Sequence, residues 1–159
     1  MIEAKKALDY EAWALARLFD RLRELSERSA DAERLLAHMV AGLDVWQLRL
    51  RGRDSTAVEI WPEPGELSEL ATRARSVLDG YRQFLDEAGE SALDRTIEYT
   101  NQHGLGYTTS ARDIVFHIMQ HGHYHRGQIN RALRQRGDEP VNCDYITYVR
   151  ELAGQDWVP

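Results

Sequence analysis

Six histidines stand in the chain, and four of them fall within the run HIMQHGHYH at positions 117–125. Neutral imidazole is the commonest metal ligand among side chains, so the direction each ring takes decides what this run can do. At about 100° per helical residue, His125 lies about 40° from His121, and Ile114, Ile118, Ile129 and Ala132 all fall within about 80° of it. The two histidines therefore sit inside an apolar stripe. His117 and Gln128 fall just outside its other edge, and His123 projects from the opposite side.

His117, His121 and His125 cannot all bind one ion. Eight residues of helix rise about 12 Å, whereas each ligating nitrogen lies about 2.0–2.1 Å from the metal. One adjacent pair can chelate, because side chains at i and i+4 stack on the same face. The pair nearer the centre of the stripe is His121 with His125, which leaves His117 as a supporting group or a solvent-facing neighbour. A third ligand has to come from elsewhere, and His38 and His103 are the candidates. His38 falls about 40° from Gly42 on its own helical wheel, at the edge of an apolar stripe, and the glycine leaves room beside it. His103 sits in a loop, where geometry is less defined. Spacing prefers His38 only slightly, and the same H-x-x-x-H pattern also describes hydrogen-bonded core histidines.

Three neutral imidazoles would leave an ion's charge uncompensated, so the site could acidify a water, hold a thiolate or polarise a carbonyl. Imidazole-only coordination suits a divalent transition metal rather than magnesium or calcium. Zinc is the first expectation, with nickel, iron and manganese as the other candidates. No general acid or base is assigned. Asp113 precedes His117 by one turn but also suits a helix cap, and Tyr107 and Trp46 suit packing as well as a pocket wall. Cys143 is a poor nucleophile candidate, being single and outside the histidine helix. Arg126 points about 140° from His121 and reads as a surface salt bridge. Gly122 allows a close approach within the apolar stripe, while Gly127 faces outward.

The elements that must carry these residues are helices. Leu8, Ala12, Leu15, Phe19 and Leu22 mark one, and Leu35, Leu36, Met39, Val40, Leu43, Trp46 and Leu50 mark a second, with Ser29 or Asp31 as its cap. The short link between them implies an antiparallel pair. The punctuated stretch 51–65 is long enough to carry the chain back, so that helices two and three run parallel. Leu67 to Leu85 form a third helix ending near Gly89. The run LDRTIEYTNQHGLGYTT suits a small hairpin or ordered loop. Ser110 then caps a fourth helix that reaches about Gln135, with Gly137 as its stop, and DYITYVRELA makes a short last one. The expectation is an all-α single domain over residues 1–159, a bundle of four long helices.

Composition narrows the function. At 159 residues with a formal charge of −6, the chain has no general footprint for nucleic acid or an anionic membrane. The arginines at 131, 134 and 136 are read as a solvated face. One cysteine, no apolar leader and no long uncharged apolar run point to a cytoplasmic protein.

The segments LLAHMVAGLDVWQLRL at 35–50, HIMQHGHYHRGQI at 117–129 and PVNCDYITYVRE at 140–151 resemble the DinB/YfiT-like family of bacterial proteins, in order and over nearly the whole chain. Gln120 departs from the asparagine common there, and His123 is additional. The resemblance implies a four-helix bundle of up-down-down-up topology, often dimeric, with a divalent metal held by three histidines, which map here to His38, His121 and His125. It also implies relatives that are thiol-dependent transferases and isomerases or metal-dependent hydrolases. The expected partners are a small-molecule substrate, a low-molecular-weight thiol and a second copy of the chain. The competing expectation is a non-catalytic module in which metal staples the helices or reports metal availability.

Overall fold

The computed structural model describes residues 2–155. They form α1 (Ile2–Glu24), α2 (Ala30–Leu50), α3 (Leu67–Ala88), a 3-10 turn (Glu90–Asp94), β1 (Thr96–Thr100), β2 (Gly106–Ser110), α4 (Ala111–Gln135) and α5 (Tyr145–Leu152). The fold is predominantly helical, and the small hairpin expected before the fourth helix is present: β1 and β2 pair antiparallel with Tyr99 opposite Tyr107. The alternation of β-branched and aromatic residues in TIEYT favours a strand, and Asn101 closes the turn by accepting from the backbone N–H groups of His103 and Leu105.

Apolar residues at three- and four-residue spacings bury one face of each long helix. Leu8, Leu15, Leu18 and Leu22 of α1 meet Leu36, Met39, Val40 and Leu43 of α2, Leu78, Tyr81 and Leu85 of α3, and Ile114, Ile118, Ile129 and Leu133 of α4 in one core. Each such side chain contributes about 1.5–3 kcal/mol on full burial. Tyr81 is buried among them and donates its hydroxyl to the Leu43 carbonyl at 2.7 Å.

Polar contacts give the helix directions. Lys5 pairs with Asp86 and Asp9 with Arg82, so α1 and α3 run antiparallel. Leu43 meets Tyr81 and Arg51 meets Glu87, so α2 and α3 run parallel, as the long connection requires. His38 lies against His125 and Trp46 against His117, so α2 and α4 run antiparallel. The antiparallel α1–α2 pair expected from the short link is not the closest packing, since α1 lies mainly against α3 and α2 against α4.

The ends of the helices follow local chemistry. Ser110 Oγ accepts from the Asp113 N–H at 3.0 Å and donates to its carboxylate at 2.6 Å, which caps α4 and engages Asp113 there rather than on His117. Gly89 and Gly137 adopt φ of 68° and 82°, turning the chain after α3 and α4 as a left-handed residue can. Ser29 stands at the start of α2, but its buried hydroxyl makes no capping bond.

Arg126 corrects the surface reading. It is only 2% exposed, and its Nη1 donates to both carboxylate oxygens of the fully buried Glu11 at 2.7 and 2.8 Å. Its Nη2 reaches the Tyr10 hydroxyl at 3.2 Å, and Tyr10 in turn donates to the Cys143 carbonyl at 2.7 Å. The side of α4 that carries Gly122 and Arg126 is covered by α1 rather than by solvent. Gly122 makes this possible, since a methyl group there would stand 2.3 Å from Glu11 Oε1. The glycine admits a carboxylate rather than a helix backbone.

Removing one partner of a buried ion pair leaves an uncompensated charge and costs about 3–5 kcal/mol. Glu11→Ala is therefore expected to lower the unfolding free energy by about that amount in urea denaturation. The double change Glu11→Leu with Arg126→Met should regain most of it.

Candidate metal centre

Three imidazoles converge where α2 crosses α4. His38 and His125 are buried and His121 is partly so, and one ring nitrogen of each lies within 4.8 Å of the other two. The ring centroids of His38 are 5.1 Å from those of His121 and 4.6 Å from those of His125, with His121 and His125 at 4.4 Å. His121 and His125 share α4 one turn apart, and His38 arrives from α2. Gly42 lies one turn after His38, and the space it leaves is filled by His121: a methyl at residue 42 would sit 3.0 Å from His121 Cε1.

Neighbours aim the rings. His38 Nδ1 lies 2.7 Å from the Ile60 carbonyl oxygen, which only accepts, so Nδ1 carries the proton and Nε2 keeps its lone pair. His125 Nδ1 lies 2.7 Å from Gln128 Oε1 and is fixed in the same way. His121 Nε2 faces His38 Nε2 at 3.2 Å. Two nitrogens each about 2.0–2.1 Å from one tetrahedral ion would be separated by about 3.3 Å, so this spacing fits a shared cation.

Burial holds all three rings neutral. It lowers the pKa of His38 against the raising effect of the Ile60 carbonyl, and lowers that of His125 against Gln128. His121 is pushed down to about 3, first by burial and then by the proximity of His125, His38 and His117. Neutral rings are what ligation needs.

The remaining sequence candidates fall outside the group. His117 is exposed, with its ring 5.7 Å from His121 and 4.9 Å from Trp46. His103 lies exposed in the β1–β2 turn, and His123 is exposed on α4. Tyr107 stacks on Tyr99, which meets Trp46 edge-on. Cys143 is buried with its thiol pushed up to about 11 by burial, so it stays protonated. Arg136 donates to the carbonyls of Glu27 and Arg28, tying the end of α4 to the α1–α2 link. Two contacts had no clear sequence signal. The Ile60 carbonyl belongs to a backbone group, and Trp61 lies in the connection between α2 and α3, where its indole stacks on His38 at 3.7 Å with an interplanar angle of 8°. Gln128 was visible three residues after His125 at the edge of the stripe.

Because the histidine pKa values are lower in the folded chain than in the unfolded one, the unfolded chain binds more protons in acid. Their stabilisation of the metal-free fold is complete above about pH 6.5 and is lost as pH falls toward the folded values, with His121 titrating last at about 3. Denaturant unfolding in a chelator at pH 7 and pH 5 is expected to show a loss of stability at pH 5, and His121→Gln should reduce that loss.

No helix among the described residues is long and apolar enough to cross a membrane. The family model described as "DinB family" matches residues 1–155. A relative, "Protein DinB" of Bacillus subtilis (strain 168), is 25% identical over 162 residues, covering 92% of this chain and 93% of that protein. A match over residues 1–155, with helix order and a three-histidine cluster to accompany it, places the chain in the DinB family.

Proposed function

We propose that His38, His121 and His125 hold a divalent transition metal, with zinc foremost and nickel, iron or manganese as the other ions the donor set accepts. On this reading the protein is a metal-dependent enzyme that turns a low-molecular-weight thiol or water against a small electrophile, in the manner of a thiol S-transferase or a hydrolase. The helices form an up-down-down-up four-helix bundle, and the protein works in the cytoplasm as a homodimer. Bound there, the ion would supply Lewis acidity, lowering the pKa of a thiol or water beside it.

The observation that carries this reading is the number of donors. A structural zinc site is closed by four protein ligands, whereas a catalytic one keeps a position free. Among the described residues the cluster contains three histidines and no cysteine or carboxylate. The chain's own part is to hold the rings: Ile60 and Gln128 fix the tautomers of His38 and His125. Tyr124 lies edge-on to His125 at 5.0 Å, and Trp61 stacks on His38.

The test begins with elemental analysis of untagged protein purified without a nickel column. One metal ion per chain is expected, with thiol transfer to a panel of small electrophiles when that metal is restored. His38→Ala and His125→Ala should each weaken metal binding at least tenfold and abolish transfer, while the metal-free melting temperature changes little. A protein that neither retains nor takes up metal overturns the proposal. Metal-dependent stability with no activity under any metal points instead to the non-catalytic module.

A further inference from the structure

The connection between α2 and α3 delivers two consecutive residues to the same imidazole. Ile60 accepts from His38 Nδ1 through its carbonyl, and Trp61 lays its indole flat on the His38 ring. One contact fixes the edge of the ring and the other fixes its face. Together they leave the Nε2 edge directed at His121 and His125.

Trp61 is not held by burial. It is 46% exposed, and its other ring contacts are His125 at 6.3 Å and the Arg34 guanidinium at 5.9 Å from the ring centroid. A large aromatic left half in water has a modest hydrophobic reason to stay in place, so the near-parallel stack on His38 is its main engagement. The backbone supports the same placement. Pro62 follows directly and biases residue 61 toward extended conformations, which narrows the poses available to the indole.

The two ligands on α4 are positioned by the helix itself, one turn apart. His38 stands alone on α2, so its direction relative to that pair depends on contacts from outside its own helix. A third ligand with a free ring would spend much of its time turned away from the cluster, lowering affinity through the order it must gain on binding.

We propose that Trp61 is a positioning residue for the metal centre: stacked on His38 and acting with the Ile60 carbonyl, it pre-orders the third ligand, so that the α2–α3 connection controls whether the site offers two nitrogens or three. This rests on the three-histidine metal reading, and the experiment below separates the two.

Metal-free wild type, Trp61→Ala, Trp61→Phe, Trp61→Leu and His38→Ala are titrated with cobalt(II), with the ligand-field spectrum recorded. Loss of an outer contact to a metal ligand costs about 10–100-fold in affinity. Trp61→Ala is expected to bind cobalt at least tenfold more weakly than wild type, with a spectrum shifted toward that of His38→Ala. Trp61→Phe should recover most of the affinity because it restores a flat ring, and Trp61→Leu should not. Equal affinity and spectrum for wild type and Trp61→Ala overturn the proposal, as does full recovery by leucine. Folding is checked by circular dichroism of each metal-free variant, and if the alanine variant is unfolded the phenylalanine and leucine pair decides. A wild type that takes up no cobalt overturns the metal reading. The ring order of His38 is then read alone, from the side-chain nitrogen–proton correlation spectrum of the metal-free protein. Loss of the Nδ1–H tautomer in Trp61→Leu but not in Trp61→Phe supports the positioning role, and an unchanged spectrum in both overturns it.

Discussion

Two imidazole nitrogens that both present lone pairs repel at short range, and the Nε2 atoms of His38 and His121 stand 3.2 Å apart. Something positive has to lie between them, either a proton on one ring or a cation shared by both. The Ile60 carbonyl removes one option for His38 by claiming its Nδ1–H, so His38 Nε2 can only accept. His121 Nε2 must therefore carry a proton toward His38 or yield that place to a metal. Much of the surrounding structure serves this encounter: the antiparallel crossing of α2 and α4, the missing side chain at Gly42, and the Gln128 amide that fixes His125.

The helix that supplies two of the rings is also pinned against α1. Arg126 follows His125 directly and points away from it into α1, where Glu11 and Tyr10 receive its guanidinium. A buried pair of this kind adds little net stability over an apolar replacement, but it penalises any rotation or slip of α4 that would separate the charges. Gly122 lies next to His121 and leaves the space that the Glu11 carboxylate occupies. Within six residues, α4 thus presents metal-type donors to α2 and a charged anchor to α1. The azimuth of the histidines is set by both.

Periodicity was a good guide wherever one physical effect dominated. The apolar stripes, the glycine stops and the Ser110–Asp113 cap all lie where hydrophobic spacing and backbone chemistry require. The His121–His125 pair was legible for the same reason, because a helix fixes relative directions over one turn. Arg126 departs from the surface expectation because a helical wheel gives direction without saying what lies there, and an arginine on a second covered face looks like one in water. The antiparallel sense of α1 and α2 follows from the short link, but their neighbours do not: a short link limits the distance between ends and leaves the packing along the axis to the core. His38 could be preferred over His103 only slightly from spacing, since the approach of α2 to α4 is a long-range contact. Trp61 was invisible because its partner is 23 residues earlier and its element has no period at all.

A proton and a metal ion would compete for the same nitrogens, and burial would decide between them. Charging any one ring places a full positive charge in a partly desolvated site beside two other imidazoles, which is why His121 falls to about 3. A second proton on a neighbouring ring would add repulsion to the same desolvation cost. A single divalent ion would draw on the lone pairs of three rings at once, so each added nitrogen would lower its energy instead of raising it. The packing that makes these histidines poor bases therefore leaves their lone pairs available near neutral pH, when a proton would otherwise block them. What distinguishes the cluster from an ordinary buried histidine pair is this third neutral nitrogen, brought from another helix, for which a proton bridging two rings offers no partner.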